Sequence, residues 1–339
     1  MATMKEIAQL AGVSRGTVDR VLNHRGAVNE DTKKKVLEIA ELLKYQPNKA
    51  GIALAAQKKK LKIGILLFGI ENPFFDEVLQ GLHEKAAELS IYGCTILEKQ
   101  IPYSLDAQLS AIEELLKEDI HGLILSPYND PLIQEKIDAL FDAGIPCVTL
   151  NTDISNSKRL TYVGSDFQKC GQIAGELLSL FTRDSAKIGI ITGSNNVLCH
   201  EERIAGFRHY LTKTNSSMQI LDIAENEDDD YKSFDVTKSF LEKYPDMTAL
   251  YFTAGGVYGG CRAVLHEKKE RALSIVTFDS VPSTIEMLKH NVISATITQQ
   301  PKEQGALSLS ILMDYLLYEK HPDSDCSYME LSIKTKECF

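Results

Sequence analysis

The sequence predicts an α/β protein in which a small all-α headpiece precedes two lobes, each built on a doubly wound parallel sheet. Charge divides the chain in the same way. Residues 1–60 carry 12 Lys and Arg against 6 Asp and Glu, a net charge of +6, whereas the whole chain of 339 residues has a net charge of −10. Apolar residues recur at helical spacing in the first part, and short apolar runs alternate with helical stretches after residue 61.

The headpiece pattern predicts three short helices. Thr3 and Glu6 have the spacing of a capping box, which starts a helix over residues 4 to about 11. Gly12 supplies a turn, and Ser14 caps a second helix over residues 15–22. Asn29 can cap a third helix with an apolar face. The first two helices form a helix-turn-helix motif.

In a helix-turn-helix motif the second helix enters the major groove of DNA, and its N-terminal residues meet the base edges. This places Arg15, Gly16, Thr17 and Arg20 against the bases. Each arginine can hold a guanine through two hydrogen bonds, which is worth about 1–3 kcal/mol of discrimination. The alternative, that one arginine touches only phosphate, stays open. We expect further backbone contacts from a set of polar residues: Ser14, Asn23, His24 and Asn29.

Residues 4–23 (MKEIAQLAGVSRGTVDRVLN) and 28–48 (VNEDTKKKVLEIAELLKYQPN) closely resemble the DNA-binding head of the LacI/GalR family of bacterial repressors. The resemblance implies a hinge helix after Pro47 that folds on the operator and inserts a leucine into the minor groove. Leu54 is the implied wedge, flanked by Asn48 and Ala50. Gly51 and Ile52 depart from the family's usual alanine and arginine, and a helical glycine costs about 1 kcal/mol.

Ten strands are predicted in the body, five before and five after about residue 165. The LacI/GalR body shares the ribose-binding-protein fold, the type I periplasmic binding protein, in which ligand binds between two lobes. The implied domains are a headpiece (1–47), a hinge helix and linker (48–60), and an effector-binding and dimerisation domain (61–339). The implied first lobe covers about 61–164 and 300–324, and the second about 165–299 and 325–339.

Ligands of such sheets bind at the carboxyl ends of the strands. By resemblance, the effector site consists of residues that follow strands or begin helices in both lobes: Asn72, Phe74, Phe75, Asn151, Thr152, Glu201, Ala254, Asp279 and Gln299. Asn151 and Thr152 stand where ribose binders carry aspartate and arginine, and Glu201 where an arginine is usual. These departures argue against an anionic sugar and favour a neutral polyol or an amino sugar. A shift in register would bring Arg203 to the cleft in place of Glu201, although helix packing is the role we expect for it.

Other classes of protein fit less well. The glycine-rich segment 254–260 follows a strand as in NAD-dependent enzymes, but its spacing is wrong for G-x-G-x-x-G. No nucleophile triad or H-E-x-x-H motif is present, and the acidic run 225–230 lacks the glycine of a calcium loop, so it reads as a solvated loop. We therefore expect no enzyme activity, no metal and no cofactor.

Seven cysteines without a C-x-x-C pair indicate buried thiols in a reducing cytoplasm, and no apolar run is long enough for a membrane span. The resulting hypothesis is a cytoplasmic homodimer, without a membrane partner, that represses transcription at a nearly palindromic operator. A sugar, polyol or amino-sugar effector controls it allosterically. Induction is the favoured mode, with a corepressor-dependent regulator as the alternative.

Overall fold

A computed structural model describes residues 2–22, 28–43, 45, 49–70, 72–194 and 196–339, with the backbone alone for residues 49 and 50. Its N-terminal part consists of α1 (Met4–Ala11), α2 (Arg15–Leu22) and α3 (Glu30–Leu42). These are the three predicted helices, and the Thr3–Glu6 capping box is formed. Gly12 ends α1 in the left-handed conformation, with φ 72°. Ile7, Val18 and Val36 form the centre of a separate small core.

Helix α4 (Lys49–Lys59) connects the headpiece to the body. Its buried residues Ala53 and Ala56 belong to the core cluster of the first lobe. Gln57 Nε2 donates a hydrogen bond of 2.8 Å to the carbonyl oxygen of Ile91, which lies in a short 3-10 turn (Ser90–Tyr92). The helix therefore extends through Gly51 and rests on the first lobe.

The first lobe contains a six-stranded parallel sheet. In chain order its strands are β1 (Lys62–Phe68), β2 (Thr95–Ile101), β3 (Gly122–Leu125), β4 (Cys147–Leu150), β5 (Thr161–Gly164) and β11 (Cys326–Tyr328). Their order across the sheet is β11-β5-β4-β3-β1-β2. The accompanying helices are α5 (Pro73–Glu88), α6 (Leu105–Lys117), α7 (Pro131–Asp142) and α13 (Pro301–Tyr318). Strands β1, β3, β4 and β5 are almost wholly buried, as continuous apolar runs in parallel sheets predict.

The second lobe repeats this arrangement. Its strands are β6 (Lys187–Thr192), β7 (Gln219–Glu225), β8 (Ala249–Phe252), β9 (Ser274–Phe278), β10 (Ala295–Thr298) and β12 (Ser332–Lys334), in the order β12-β10-β9-β8-β6-β7. Only β12 runs antiparallel to its neighbour among the strands described. The helices are α8 (Phe167–Thr182), α9 (Leu198–Thr214), α10 (Asp230–Lys243), α11 (Val257–His266) and α12 (Pro282–Lys289), with a 3-10 turn at Lys336–Cys338.

The predicted fold class is confirmed, and all ten predicted strands are present. Strands β11 and β12 were not predicted because each has only three residues, none of them fully buried. These two strands also place the last crossing between the lobes later in the chain than expected. The chain passes from the first sheet to the second between Tyr328 and Ser332, a few residues after the expected point at 325. Together with the segments that follow β5 and β10, this makes three connections between the lobes.

Candidate functional site

The N-terminal end of α2 presents an exposed polar surface. Ser14, Arg15, Gly16 and Arg20 are exposed, and Thr17 is partly buried. Val18 and Val21 lie on the opposite side of the helix, in the headpiece core. All five predicted base-contacting or adjacent residues therefore share one accessible region, as a helix entering the major groove requires.

Hydrogen bonds within the headpiece hold several of these side chains in place. Arg20 Nε donates to the carbonyl oxygen of Gly16 at 3.2 Å, and both terminal guanidinium nitrogens lack a hydrogen-bond partner among the described residues. Ser14 Oγ accepts from the Thr17 backbone at 3.1 Å and caps α2. Asn29 Oδ1 accepts from Asp31 and Thr32 as the cap of α3, so only its amide nitrogen remains for a DNA backbone contact.

Four of the predicted DNA contacts cannot be placed. Asn23, His24 and Asn48 lie outside the described residues, as does the side chain of Ala50. Leu54 on α4 is 58% exposed, while its neighbours Ala53 and Ala56 are buried. A leucine on the exposed side of a helix whose other side rests on the first lobe is available for insertion between bases, and its role as a wedge stays a prediction.

A cleft of about 790 Å³ lies between the two lobes, at the carboxyl ends of the strands. Seven of the nine residues predicted for an effector site line it: Asn72, Phe74, Phe75, Asn151, Ala254, Asp279 and Gln299. The volume falls within the usual range for small-molecule sites. The structure thus brings together residues separated by more than 200 positions in the sequence.

Aromatic rings dominate the first-lobe wall of the cleft. Asn72 caps α5 by accepting a hydrogen bond of 3.0 Å from the Phe74 backbone, and Phe74 meets Phe75 edge to face at 5.3 Å. Tyr103 and Tyr128 also line the wall, and Phe68 lies behind them. Neither tyrosine was predicted, although Tyr103 lies two residues after β2 and Tyr128 three residues after β3, which is where the carboxyl-end rule places ligand contacts.

The second-lobe wall is organised by Arg203, which is only 4% exposed. Its Nη1 donates to the Thr253 carbonyl oxygen, and its Nη2 donates to Gln299 Oε1 at 2.9 Å. Gln299 Nε2 in turn donates to Asp279 Oδ1 at 2.8 Å. The guanidinium also lies 3.8 Å from the centre of the Phe278 ring. This chain fixes the orientation of both Gln299 and Asp279.

Close helix packing places Arg203 in the cleft. Helices α8 and α9 touch at Gly171 and Gly206, where an added Cβ would lie 2.0 Å from the carbonyl oxygens of Arg203 and Gln168, respectively. Any larger residue at either position would separate the helices. The two glycines therefore keep α9 close to α8, which holds Arg203 in the second-lobe wall of the cleft.

Two predicted site residues do not line the cleft. Glu201 is exposed, because it lies two residues before Arg203 on α9 and so points about 200° away from it. Arg203 lines the cleft instead, which is the alternative register that the sequence left open, whereas helix packing was the role expected for it. Thr152 is turned into the interior, 1% exposed, because Asn151 adopts the left-handed conformation immediately after β4, with φ 64°.

Asp279 is the titratable group best placed to respond to a ligand. Burial raises its pKa to about 6, although Arg203 and the hydrogen bond from Gln299 act to lower the pKa and Glu77 adds to the rise. Its backbone is left-handed, with φ 65°, which turns the side chain off the end of β9 into the cleft. A hydrogen-bond donor on a ligand would stabilise its charged form.

Cys199 and His200 occupy the first turn of α9 and line the same wall. Burial opposes charge on both groups. His200 nevertheless lowers the pKa of the Cys199 thiol, and Cys199 raises the pKa of His200 to about 9. His200 Nδ1 lies 3.0 Å from the Ser194 carbonyl oxygen. The sequence-based search missed both residues because neither belongs to a recognisable motif.

The acidic segment 225–230 is not merely a solvated loop, as the sequence suggested. Asn226 is fully buried and donates to the Gly255 carbonyl oxygen at 2.8 Å. Asp228 lines the cleft, and its Oδ1 accepts from the Gly255 backbone at 2.6 Å. Its buried Oδ2 has no hydrogen-bond partner among the described residues. The signal that could have found Asp228 is its position just after β7.

The combined cleft suits a polyhydroxylated ring. Rings from the first lobe offer apolar faces, and carboxylate, amide and guanidinium groups offer oriented donors and acceptors.

Among the described residues there is no group of three or more His, Cys, Asp or Glu side chains arranged to hold a metal ion. In the same part of the chain, no helix is both long and apolar enough to cross a membrane.

Comparison with known protein families gives two matches. Residues 63–320 match the family described as periplasmic binding protein domain. Residues 3–48 match the family described as bacterial regulatory proteins, lacI family. The two matched regions correspond to the two-lobed body and the helix-turn-helix headpiece.

Similar full-length proteins include a ribose operon repressor from Halalkalibacterium halodurans, 28% identical over 330 residues, covering 95% of this chain and 92% of the relative. Catabolite control protein A from Priestia megaterium is 25% identical over 321 residues, covering 93% and 92%. Among solved structures, the glucose-galactose binding protein GanP from Geobacillus stearothermophilus is 25% identical with a TM-score of 0.75, covering 82% of this chain and 99% of GanP.

Proposed function

The chain belongs to the periplasmic binding protein domain family and carries a lacI-family region at its N-terminus, and we propose that it is a DNA-binding transcriptional repressor controlled by a small sugar-like effector. One observation carries this proposal. A helix-turn-helix with an exposed arginine-bearing surface and a ligand-sized cleft between two lobes occur in one chain. Two similar proteins, a ribose operon repressor and catabolite control protein A, are named as regulators, which supports the assignment.

Coupling between the two sites runs through α4 and the lobe connections. Helix α4 rests on the first lobe through Ala53, Ala56 and the hydrogen bond from Gln57, so a movement of that lobe moves the helix. A ligand that contacts both walls of the cleft favours one arrangement of the lobes. Such a ligand changes operator affinity only to the extent that it binds the two arrangements unequally. We propose induction, in which effector binding releases DNA.

The effector we propose is a sugar, polyol or amino sugar. Phe75 and Tyr103 provide ring faces, while Asp228, Asp279 and Gln299 provide hydrogen-bonding groups for hydroxyl or ammonium substituents. The only basic side chains that line the cleft within the described residues are Arg203 and His200, against several carboxylates. An acidic cleft disfavours phosphorylated sugars because like charges repel.

We further propose that the protein acts as a homodimer on a nearly palindromic operator. One headpiece covers a single half-site, and a twofold pair of headpieces matches two inverted half-sites. A protein that reads chromosomal DNA works in the cytoplasm. It acts by binding rather than by catalysis, and the cleft residues serve as ligand contacts.

Two experiments test the proposal. Selection from random duplex DNA with the full-length protein should enrich a sequence with inverted symmetry, and its affinity should fall steeply with salt. In a thermal-shift screen of neutral sugars, polyols and amino sugars, at least one compound should raise the melting temperature of the protein. Enrichment without symmetry would contradict the dimeric arrangement, and stabilisation by sugar phosphates alone would contradict the effector class.

A further inference from the structure

A second cavity, of about 350 Å³, lies where the chain crosses between the lobes, and we call it the crossover pocket. It shares no lining residue with the effector cleft. Its walls come from the loop after β4, from β5 and β11 of the first lobe, and from the first turns of α8 and α9 of the second lobe. Any molecule bound there would contact both lobes.

The crossover pocket is acidic, and two of its carboxylates are uncompensated. Asp153 is neutralised by Arg159, whose Nε and Nη2 each lie 2.6 Å from one of its two oxygens. Within the ranges of the chain that the structure describes, Asp166 and Glu202 have no such partner. Asp166 accepts only the Lys169 backbone N–H as the cap of α8, and neither carboxylate forms an ion pair within 4 Å among the described residues.

A buried hydroxyl lines the same cavity without a partner. Ser165 is 1% exposed, and its Oγ makes no hydrogen bond within the part of the chain that the structure describes. A buried polar atom left unpaired destabilises the fold, and a hydrogen bond from a ligand would remove that penalty. Because Ser165 lies directly between β5 and α8, a ligand that bonds to this oxygen would contact the connection between the lobes.

Aromatic rings complete the wall. Tyr328 is 57% exposed and packs edge to face on Tyr162 at 6.2 Å. Tyrosine faces attract organic cations through their ring electrons. Burial raises the pKa of Glu202, and the nearby carboxylates of Asp153, Asp166 and, outside the pocket, Glu201 raise the pKa further. A cation placed between the carboxylates of the pocket would relieve their repulsion.

We propose that the crossover pocket binds a short aliphatic diammonium ion. Two ammonium groups balance the two unpaired carboxylates of Asp166 and Glu202, and one N–H reaches Ser165 Oγ. The carbon chain lies against the tyrosine rings. A bare metal ion fits less well, because the described residues offer no set of three metal-ligating side chains there.

Isothermal titration calorimetry of the full-length protein with putrescine at low ionic strength tests this proposal. 1,4-Butanediol is the matched ligand control, since it keeps the four-carbon chain and replaces each ammonium by a hydroxyl. We expect one binding site for putrescine and no binding of the diol. Binding of both, or of neither, would overturn the proposal.

Variants localise the site. Glu202→Gln should weaken putrescine binding by about tenfold or more, because a charge-assisted contact is lost. Glu201→Gln is the matched control: it removes the same charge from the next residue, which is exposed and outside the pocket, and it should change the affinity less than about twofold. Equal weakening by both would show general screening of an acidic surface and would overturn the proposal.

A second variant guards against misfolding. Asp166→Asn keeps an efficient helix cap and removes the charge, so it should also weaken binding by about tenfold while leaving the melting temperature nearly unchanged. Full affinity in folded Asp166→Asn and Glu202→Gln proteins would place putrescine elsewhere and refute the assignment.

Discussion

Replacing Asp279 by asparagine is expected to stabilise the ligand-free protein at neutral pH. Burial raises the pKa of this carboxyl from 3.8 to about 6, so the folded protein binds the proton more tightly than the unfolded chain does. The favourable contribution is complete below the unfolded pKa and is lost as pH rises through 6. At 1.36 kcal/mol per pKa unit, the unfolding free energy is lower than at acidic pH, where the group is protonated in both states, by about 3 kcal/mol at pH 8 and by roughly half of that at pH 5.

Asparagine keeps the hydrogen bond from Gln299, since its Oδ1 can accept as the carboxylate does. The Asp279→Asn protein should therefore gain about 3 kcal/mol in unfolding free energy at pH 8, and less at pH 5. Urea unfolding at the two pH values measures the difference, with the exposed Asp323→Asn variant as the control. A gain that does not grow between pH 5 and pH 8, or a loss of stability at pH 8, would refute the reasoning.

Three other changes test separate parts of the molecule. Arg20→Ala should relax base discrimination at one operator position by about 1–3 kcal/mol, and unchanged specificity in a DNA selection would remove Arg20 from the base-reading set. Arg203→Met should raise the pKa of Asp279 further, because the guanidinium acts to lower it. A carboxyl NMR titration measures this pKa, and a value that stays the same or falls would contradict the expected direction. Deleting residues 1–60 should abolish DNA binding and preserve ligand-induced thermal stabilisation, so loss of both would contradict a modular protein.

Most of the fold follows from local patterns in the sequence. The buried strands are continuous apolar runs, such as β1, and the headpiece helices begin at capping residues such as Thr3 and Asn29. The short strands β11 and β12 could not be predicted, because their pairing depends on the edges of sheets that are completed elsewhere in the chain.

The cleft was predictable where a strand end fixes a residue's direction, as for Asp279, or where a helix cap does, as for Asn72. It was less predictable on α9, where a shift of one or two positions turns a side chain from the cleft to solvent. That is why Glu201 was chosen although Arg203 lines the site. Asp228 was missed because it stands in an acidic run, and the structure distinguishes it by its hydrogen bond from the Gly255 backbone and by its buried oxygen in the cleft, which is unpartnered among the described residues.

The proposed link between effector and DNA is tested most directly by fluorescence anisotropy. The selected operator fragment is titrated with the full-length protein, with and without a sugar that stabilises it thermally. We expect salt-sensitive operator binding whose affinity changes at least tenfold when that sugar is present, and a much smaller change for Asp279→Asn. Operator affinity that is the same with and without the stabilising sugar would contradict allosteric control, and absence of any salt-sensitive DNA binding would contradict the regulator itself.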